Sequence, residues 1–162
     1  MTALAYDVIA RADAAGQKIA TAESCTGGLI AGALTDVPGS STVFERGFVT
    51  YSNAAKAEML GVPAALIADH GAVSEEVARA MAEGARTRAG VEIAVAVTGI
   101  AGPGGSEHKP EGRVCFAVAA PGGARAETVE FGPLGRAAVR TASVDHALRL
   151  ILAVLPERGS GG

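Results

Sequence analysis

Apolar residues along the chain switch between a helical and a strand period. Leu4, Val8, Ala12 and Ala15 recur at helical spacing, and Gly16 stands where that helix would close. Residues 17–22, "QKIATA", read as a short strand. "GGLIAGALTD" is helical again, with Thr26 placed to cap it, and "VPGSS" is a run of turn formers. Residues 43–51, "VFERGFVTY", are rich in Phe, Val, Thr and Tyr and predict a strand. Asn53 is in position to cap "AAKAEML", which Gly61 ends, and "AALIADH" after Pro63 is a further short helical turn.

Ser74 followed by Glu75 and Glu76 opens a longer helix to about Arg88. A cap with acids in the first turn complements the helix dipole. Residues 91–97, "VEIAVAV", are nearly continuously apolar, as in a central strand covered on both faces. Residues 98–112 form a long loop. "RVCFAVAA" and "ARAETVEF", joined by "PGG", predict a hairpin. A last helix over residues 136–155 places Val139, Val144, Leu148, Ile151 and Leu155 on or near one stripe. The order of elements predicts a single-domain α/β fold: a three-layer α/β/α sandwich with a mixed, mostly parallel sheet. The domain is expected over residues 1–157, with residues 158–162 as a flexible tail.

Composition narrows the core. Of 162 residues, 49% are hydrophobic but only 4% aromatic, with no Trp, so the core has to be built from Ala, Val, Leu and Ile. The net charge of -3 argues against a general nucleic-acid binder. No apolar run is long enough to span a bilayer. The first residues, with Asp7 and Asp13, lack the basic start of a secretion signal. Cys25 and Cys115 make neither a disulfide framework nor a zinc pattern, so a cytoplasmic protein with reduced thiols and no bound metal is expected.

Ligands of open α/β sheets sit beyond the carboxyl ends of the strands. Three segments there are rich in Gly, Ser or Thr: "AESCTGG", "TYSN" and "TGIAGPGG". If their strands are parallel neighbours, the loops share one pocket. In the first, N–H groups at a helix start could bind an anion, and Gly27 and Gly28 would allow close approach. An ordinary helix cap explains the same residues. The third, with Gly99 and Gly102, fits neither a P-loop nor a dinucleotide fingerprint. Ser24 needs a base to act as a nucleophile. His70, His108 and His146 each lack a nearby orienting acid, so a Ser-His-Asp triad is not supported. Lys56 lies just past "TYSN", where a solvated surface lysine is the ordinary expectation. Cys25 is the alternative nucleophile. Neighbours in an extended segment point opposite ways, so one of Ser24 and Cys25 is expected to face the pocket.

Four stretches in order, "TAESCTGG", "GSSTVFERGFVTYSNAAKAEMLGV", "HGAVSEEVA" and "VTGIAGPGGSEHKPEGRVCFAV", closely resemble the C-terminal domain family of the competence/damage-inducible protein CinA. The resemblance spans about residues 3–155. It implies a nicotinamide-nucleotide amidase that hydrolyses the carboxamide of nicotinamide mononucleotide to nicotinate mononucleotide and ammonia, in pyridine-nucleotide salvage, without a cofactor. It also implies a serine nucleophile helped by a lysine, here Ser24 and Lys56, with Tyr51, Thr98 and an arginine lining the site. Relatives usually have Gly-Asp-Arg before the last helix, whereas this chain has "GPLGRAAVR". Arg136 aligns best and Arg140 lies one turn further. Thr26, Gly27, Gly28, Gly99 and Gly102 are expected to help hold the substrate.

Larger relatives carry an additional N-terminal domain for which this chain has no room, so activity of that domain is expected to be absent. A small-molecule nucleotide is the expected partner, with neither nucleic acid nor membrane, and a homo-oligomer is expected. Two other readings compete. One is a non-catalytic nucleotide- or phosphate-binding module in which Ser24 is only a cap. The other is an enzyme like the sugar-phosphate isomerases, which leaves Lys56 and Tyr51 without work.

Overall fold

The computed structural model describes residues 2–157; the expected tail at 158–162 lies outside the described residues. Helix α1 (Thr2–Ala15) leads into strand β1 (Ile19–Glu23), helix α2 (Leu29–Thr35), a 3₁₀ turn and strand β2 (Phe44–Val49). Helices α3 (Asn53–Leu60), α4 (Ala64–His70) and α5 (Glu75–Ala89) then cross to strand β3 (Ile93–Gly99). Strands β4 (Arg113–Ala120) and β5 (Gly123–Glu130) form the expected hairpin, and α6 (Arg136–Val154) closes the described fold.

The five strands lie in the order β2-β1-β3-β4-β5. β1 pairs in parallel with both β2 and β3, while β4 runs antiparallel to β3 and to β5. Four strands thus share one direction. The chain passes from β1 outward to β2 and then back across β1 to β3. This makes the carboxyl end of β1 a point where the order of winding reverses, the place where such sheets leave a crevice.

Alternation along the strands sorts the core into two unlike halves. Ile19, Ile93, Val95, Val97, Phe116 and Val118 face one side, with residues of α1, α2 and α6. Ala20, Ala22, Ala94, Ala96, Ala117 and Ala119 face the other, against α5 and the α3–α4 pair. Period-2 alternation of a large and a small residue therefore gives a deep layer and a shallow one. On the shallow side α5 brings Val77, Ala78, Met81, Ala82 and Ala85 down onto alanine.

Two helix starts differ from the sequence reading. The Ser52 hydroxyl, rather than Asn53, accepts the Ala55 N–H at 3.0 Å, so Asn53 is the first residue of α3 and is left for other work. α2 begins after Gly28, whose φ of 106° suits glycine, and Thr26 does not cap it. Ser74 caps α5 as expected, accepting from Val77 N–H. Among the described residues no helix is long and apolar enough to cross a membrane.

The shallow layer gives a paired prediction. A Cβ at Gly84 would fall onto the Leu60 carbonyl oxygen, where α5 crosses α3, whereas a Cβ at Gly32, on the exposed side of α2, meets nothing within 4 Å. Gly84→Ala is expected to destabilise by about 1–3 kcal/mol through overpacking. Gly32→Ala should stabilise by about 0.5–1 kcal/mol through helix propensity. Urea unfolding of the two variants checks the pair; equal shifts would contradict the close approach at Gly84.

Candidate active site

The three loops at the carboxyl ends of β1, β2 and β3 meet, as parallel pairing of their strands requires. They surround a cavity of about 350 Å³. Ser24 from the first loop, Tyr51 from the second, and Thr98, Gly99 and Gly102 from β3 and the loop that follows it all line it. Lys56 and Asn53 enter from α3, and Arg136 from the first residue of α6.

Lys56 is only 1% exposed. Its Nζ lies 3.1 Å from Ser24 Oγ and donates to the Thr50 carbonyl oxygen at 3.0 Å. Among the described residues no carboxylate pairs with it. Burial therefore lowers its pKa from the ordinary 10.5, opposed by smaller electrostatic interactions with Cys25 and Glu107. A neutral amine here would give one N–H to Thr50 O and turn its lone pair to the Ser24 hydroxyl. Ser24 is itself buried, and its N–H donates to Val97 O at 3.0 Å, which fixes the end of β1 against β3.

Cys25 is a different kind of residue. It lines the cavity together with Ser24, where only one of the two was expected, but it also packs in the deep half of the core, and burial, its largest influence, pushes the thiol pKa up to about 12. The thiolate needed for nucleophilic attack is thereby suppressed. The histidines are no nearer to the chemistry. His70 meets Glu76 at 3.3 Å, His108 sits at a turn tip with φ of 62°, and His146 stacks on Phe116 with ring centroids 4.4 Å apart.

The turn after Ser24 is shaped by Glu23, which the sequence reading left without a role. Its carboxylate is fully buried and accepts from the Thr26 hydroxyl at 2.7 Å and from the Ile30 and Ala31 N–H groups at 2.8 and 3.1 Å. The anion expected at the start of α2 is thus supplied by the protein itself. Thr26, Gly27 and Gly28, expected to help hold the substrate, lie outside the cavity lining, so any part they take is through backbone N–H groups rather than side chains. Thr26 is committed to Glu23, and Gly27 N–H donates back to Ser24 O at 3.0 Å. The N–H groups of Cys25 and Thr26, the two residues that follow Ser24, form no backbone hydrogen bond among the described residues.

The two arginines separate. Arg136 spans the cavity mouth, donating to Tyr51 Oη and to Gly102 O, each at 2.7 Å. Arg140 lies behind the turn and is not part of the lining: it donates to Cys25 O at 3.1 Å and Thr26 O at 3.2 Å. Arg140 thus braces the backbone next to Ser24 rather than facing a ligand. Thr98, 1% exposed, lines the cavity but spends its hydroxyl on Ala72 O at 2.9 Å, tying β3 to the entry of α5.

A mixed α/β sheet with a buried lysine set against a serine at its reversal point defines a class of small α/β domains built around a serine–lysine pair. The model of the CinA C-terminal domain matches residues 1–155, and the chain belongs to that family. It is 54% identical over 156 residues to a CinA-like protein of Mycobacterium avium, covering 93% of this chain and 36% of that protein. A CinA-like protein of Synechococcus is 53% identical over 146 residues, covering 88% of this chain and 35% of that one. The chain thus spans about a third of the length of these relatives.

Solved structures match along nearly their whole length. The competence/damage inducible protein CihA from Agrobacterium tumefaciens has a TM-score of 0.91 at 49% identity, covering 94% of this chain and 93% of that one. A CinA superfamily protein from Escherichia coli has a TM-score of 0.92 at 35% identity, covering 95% of this chain and 90% of that one.

Burial of Lys56 makes stability depend on pH. Its folded pKa is lowered, so between that value and 10.5 the unfolded chain binds the proton that the folded chain has released. Unfolding takes up a proton in that window, so stability rises with pH across it. In Lys56→Met this contribution to the slope should vanish. Urea midpoints measured at intervals from roughly pH 7 to 10 read it; an unchanged slope would mean that Lys56 stays charged when folded.

Proposed function

We propose that this domain hydrolyses the carboxamide of nicotinamide mononucleotide, with Ser24 as nucleophile and Lys56 as its base. The observation that carries the reading is the 3.1 Å approach of Lys56 Nζ to Ser24 Oγ in a buried setting where, among the described residues, no carboxylate pairs with the amine. Burial shifts Lys56 toward the neutral form, the form a general base must take.

In this scheme the Ser24 hydroxyl passes its proton to Lys56 Nζ as Oγ attacks the amide carbon. In the same scheme the Cys25 and Thr26 N–H groups receive the oxyanion. The tetrahedral intermediate collapses, and the departing nitrogen takes the proton from Lys56 and leaves as ammonia. Water then attacks the ester on Ser24, giving its proton to Lys56, and the carboxylate product leaves with Oγ reprotonated. Arg136 at the mouth is the candidate partner for the phosphate. The free thiols of Cys25 and Cys115 fit a reducing, cytoplasmic setting.

The direct test is ammonia release from nicotinamide mononucleotide by the purified protein. Ser24→Ala should abolish release and leave the protein folded, since a small side chain fits the turn. Lys56→Arg should not restore what Lys56→Ala loses, because a guanidinium stays charged. A fully active Lys56→Arg protein would reduce the role of Lys56 to positive charge. Tight binding without turnover would favour a nucleotide-binding module instead.

The phosphate gives a second prediction. Arg136→Ala should lower kcat/KM for the mononucleotide by about tenfold or more, and far less for nicotinamide riboside. Equal losses on the two substrates would remove Arg136 from the phosphate.

A further inference from the structure

Among the described residues one carboxylate lines the cavity, that of Glu107; its charge favours the protonated form of Lys56, but no step of the scheme above passes through it. It stands on a turn whose ends, Ser106 and Lys109, exchange backbone hydrogen bonds of 3.0 and 2.8 Å, with Glu107 and His108 both at positive φ. Such a two-residue turn fixes the direction in which its side chains leave. Lys109 anchors the turn: its ammonium donates to the carbonyl oxygens of His70 and Val73, at the junction of α4 and α5. The Glu107 carboxylate lies 3.9 Å from that ammonium and keeps 37% of its side chain exposed. Its charge is therefore only partly answered by the protein, and it is held in the wall of the cavity.

The lining thus carries one anion, Glu107, and one permanent cation, Arg136. Arg136 is pinned to Gly102 O, in the same loop that leads into the Glu107 turn. Two opposite charges held in one small lining suit a ligand that is itself dipolar. In a pyridinium nucleotide the ring nitrogen bears a fixed positive charge and the phosphate a negative one. Resting on the amidase reading above, we propose that Glu107 is a specificity residue that selects the positively charged pyridinium ring over its neutral, reduced counterpart.

The test compares two ligands of nearly the same size: nicotinamide mononucleotide and its dihydropyridine form, which keeps the phosphate and the amide but has a neutral ring. Calorimetric titration with the Ser24→Ala protein measures binding without turnover. The oxidised form should bind about fivefold more tightly, about 1 kcal/mol, the size of a partly exposed ion pair. Glu107→Gln should weaken the oxidised form by that factor and leave the reduced form unchanged, while Glu107→Asp should keep the preference.

Equal weakening of both ligands by Glu107→Gln, or no change in either, would overturn the assignment. So would a Glu107→Gln enzyme whose pH profile of kcat moves while its ligand preference stays, since Glu107 would then act through Lys56. Ammonia release by the wild-type protein reads the reaction separately. Charge preference without release would sink the amidase reading alone. Release without charge preference would sink only the role of Glu107, and failure of both ligands to bind would overturn both.

Discussion

A lysine amine buried with no carboxylate paired to it among the described residues is the constraint around which the rest of the site is arranged. Taking a charged ammonium out of water costs several kcal/mol, and neutrality is the less costly state. Lys56 reaches its position because it shares the inner face of α3 with Leu60, four residues on, while Met59 turns outward. Gly61 then ends the helix, and the Thr50 carbonyl gives the amine an acceptor that adds no charge. The sheet supplies the other partner, since β1 ends at the residue before Ser24 and its pairing with β3 sets how far that hydroxyl projects.

The turn carrying Ser24 is held from two sides by groups of opposite charge. Glu23 draws in the N–H groups at the start of α2, and Arg140 takes the carbonyls of Cys25 and Thr26. The carbonyls of Ser24, Cys25 and Thr26 and the N–H groups of Gly27, Ile30 and Ala31 are occupied. A site whose backbone is already in place loses less ordering entropy when a ligand arrives. It also explains why an external anion has no claim on the start of α2, and why the mouth, with Arg136, is left for that task.

Much of the fold was legible because its signals are local. The apolar run of β3, the acid-led start of α5 after Ser74 and the glycine-turned hairpin of β4 and β5 each depend on residues near in sequence. The meeting of three loops also followed from pattern, once parallel neighbours were assumed. Elsewhere the decisive partner was distant or a competing one sat next door. Ser52 displaced Asn53 as the cap of α3. Glu23 looked like the end of a strand, and only its contacts with Ile30 and Ala31 disclose its work. Lys56 read as a surface residue because a charged side chain outweighs spacing in any composition-based reading, although its register with Leu60 pointed inward. Glu107 was hidden because its turn is placed by Lys109, whose partners lie more than thirty residues earlier in the chain.

The unequal halves of the core have a mechanical consequence. On the shallow side, the alanines of β1, β3 and β4 act as a spacer gauge that sets the distance between sheet and α5. The entry to α5, at Ala72 and Val73, forms part of the cavity wall and also carries the anchor points of Thr98 and Lys109. Thickening that layer, for instance by a valine at Ala96, would lift the helix and tilt the wall at its end. Tolerance to substitution should therefore be lopsided: the deep valine and isoleucine layer can exchange methyl groups among its own members, whereas the shallow layer transmits each added carbon to the calibre of the pocket.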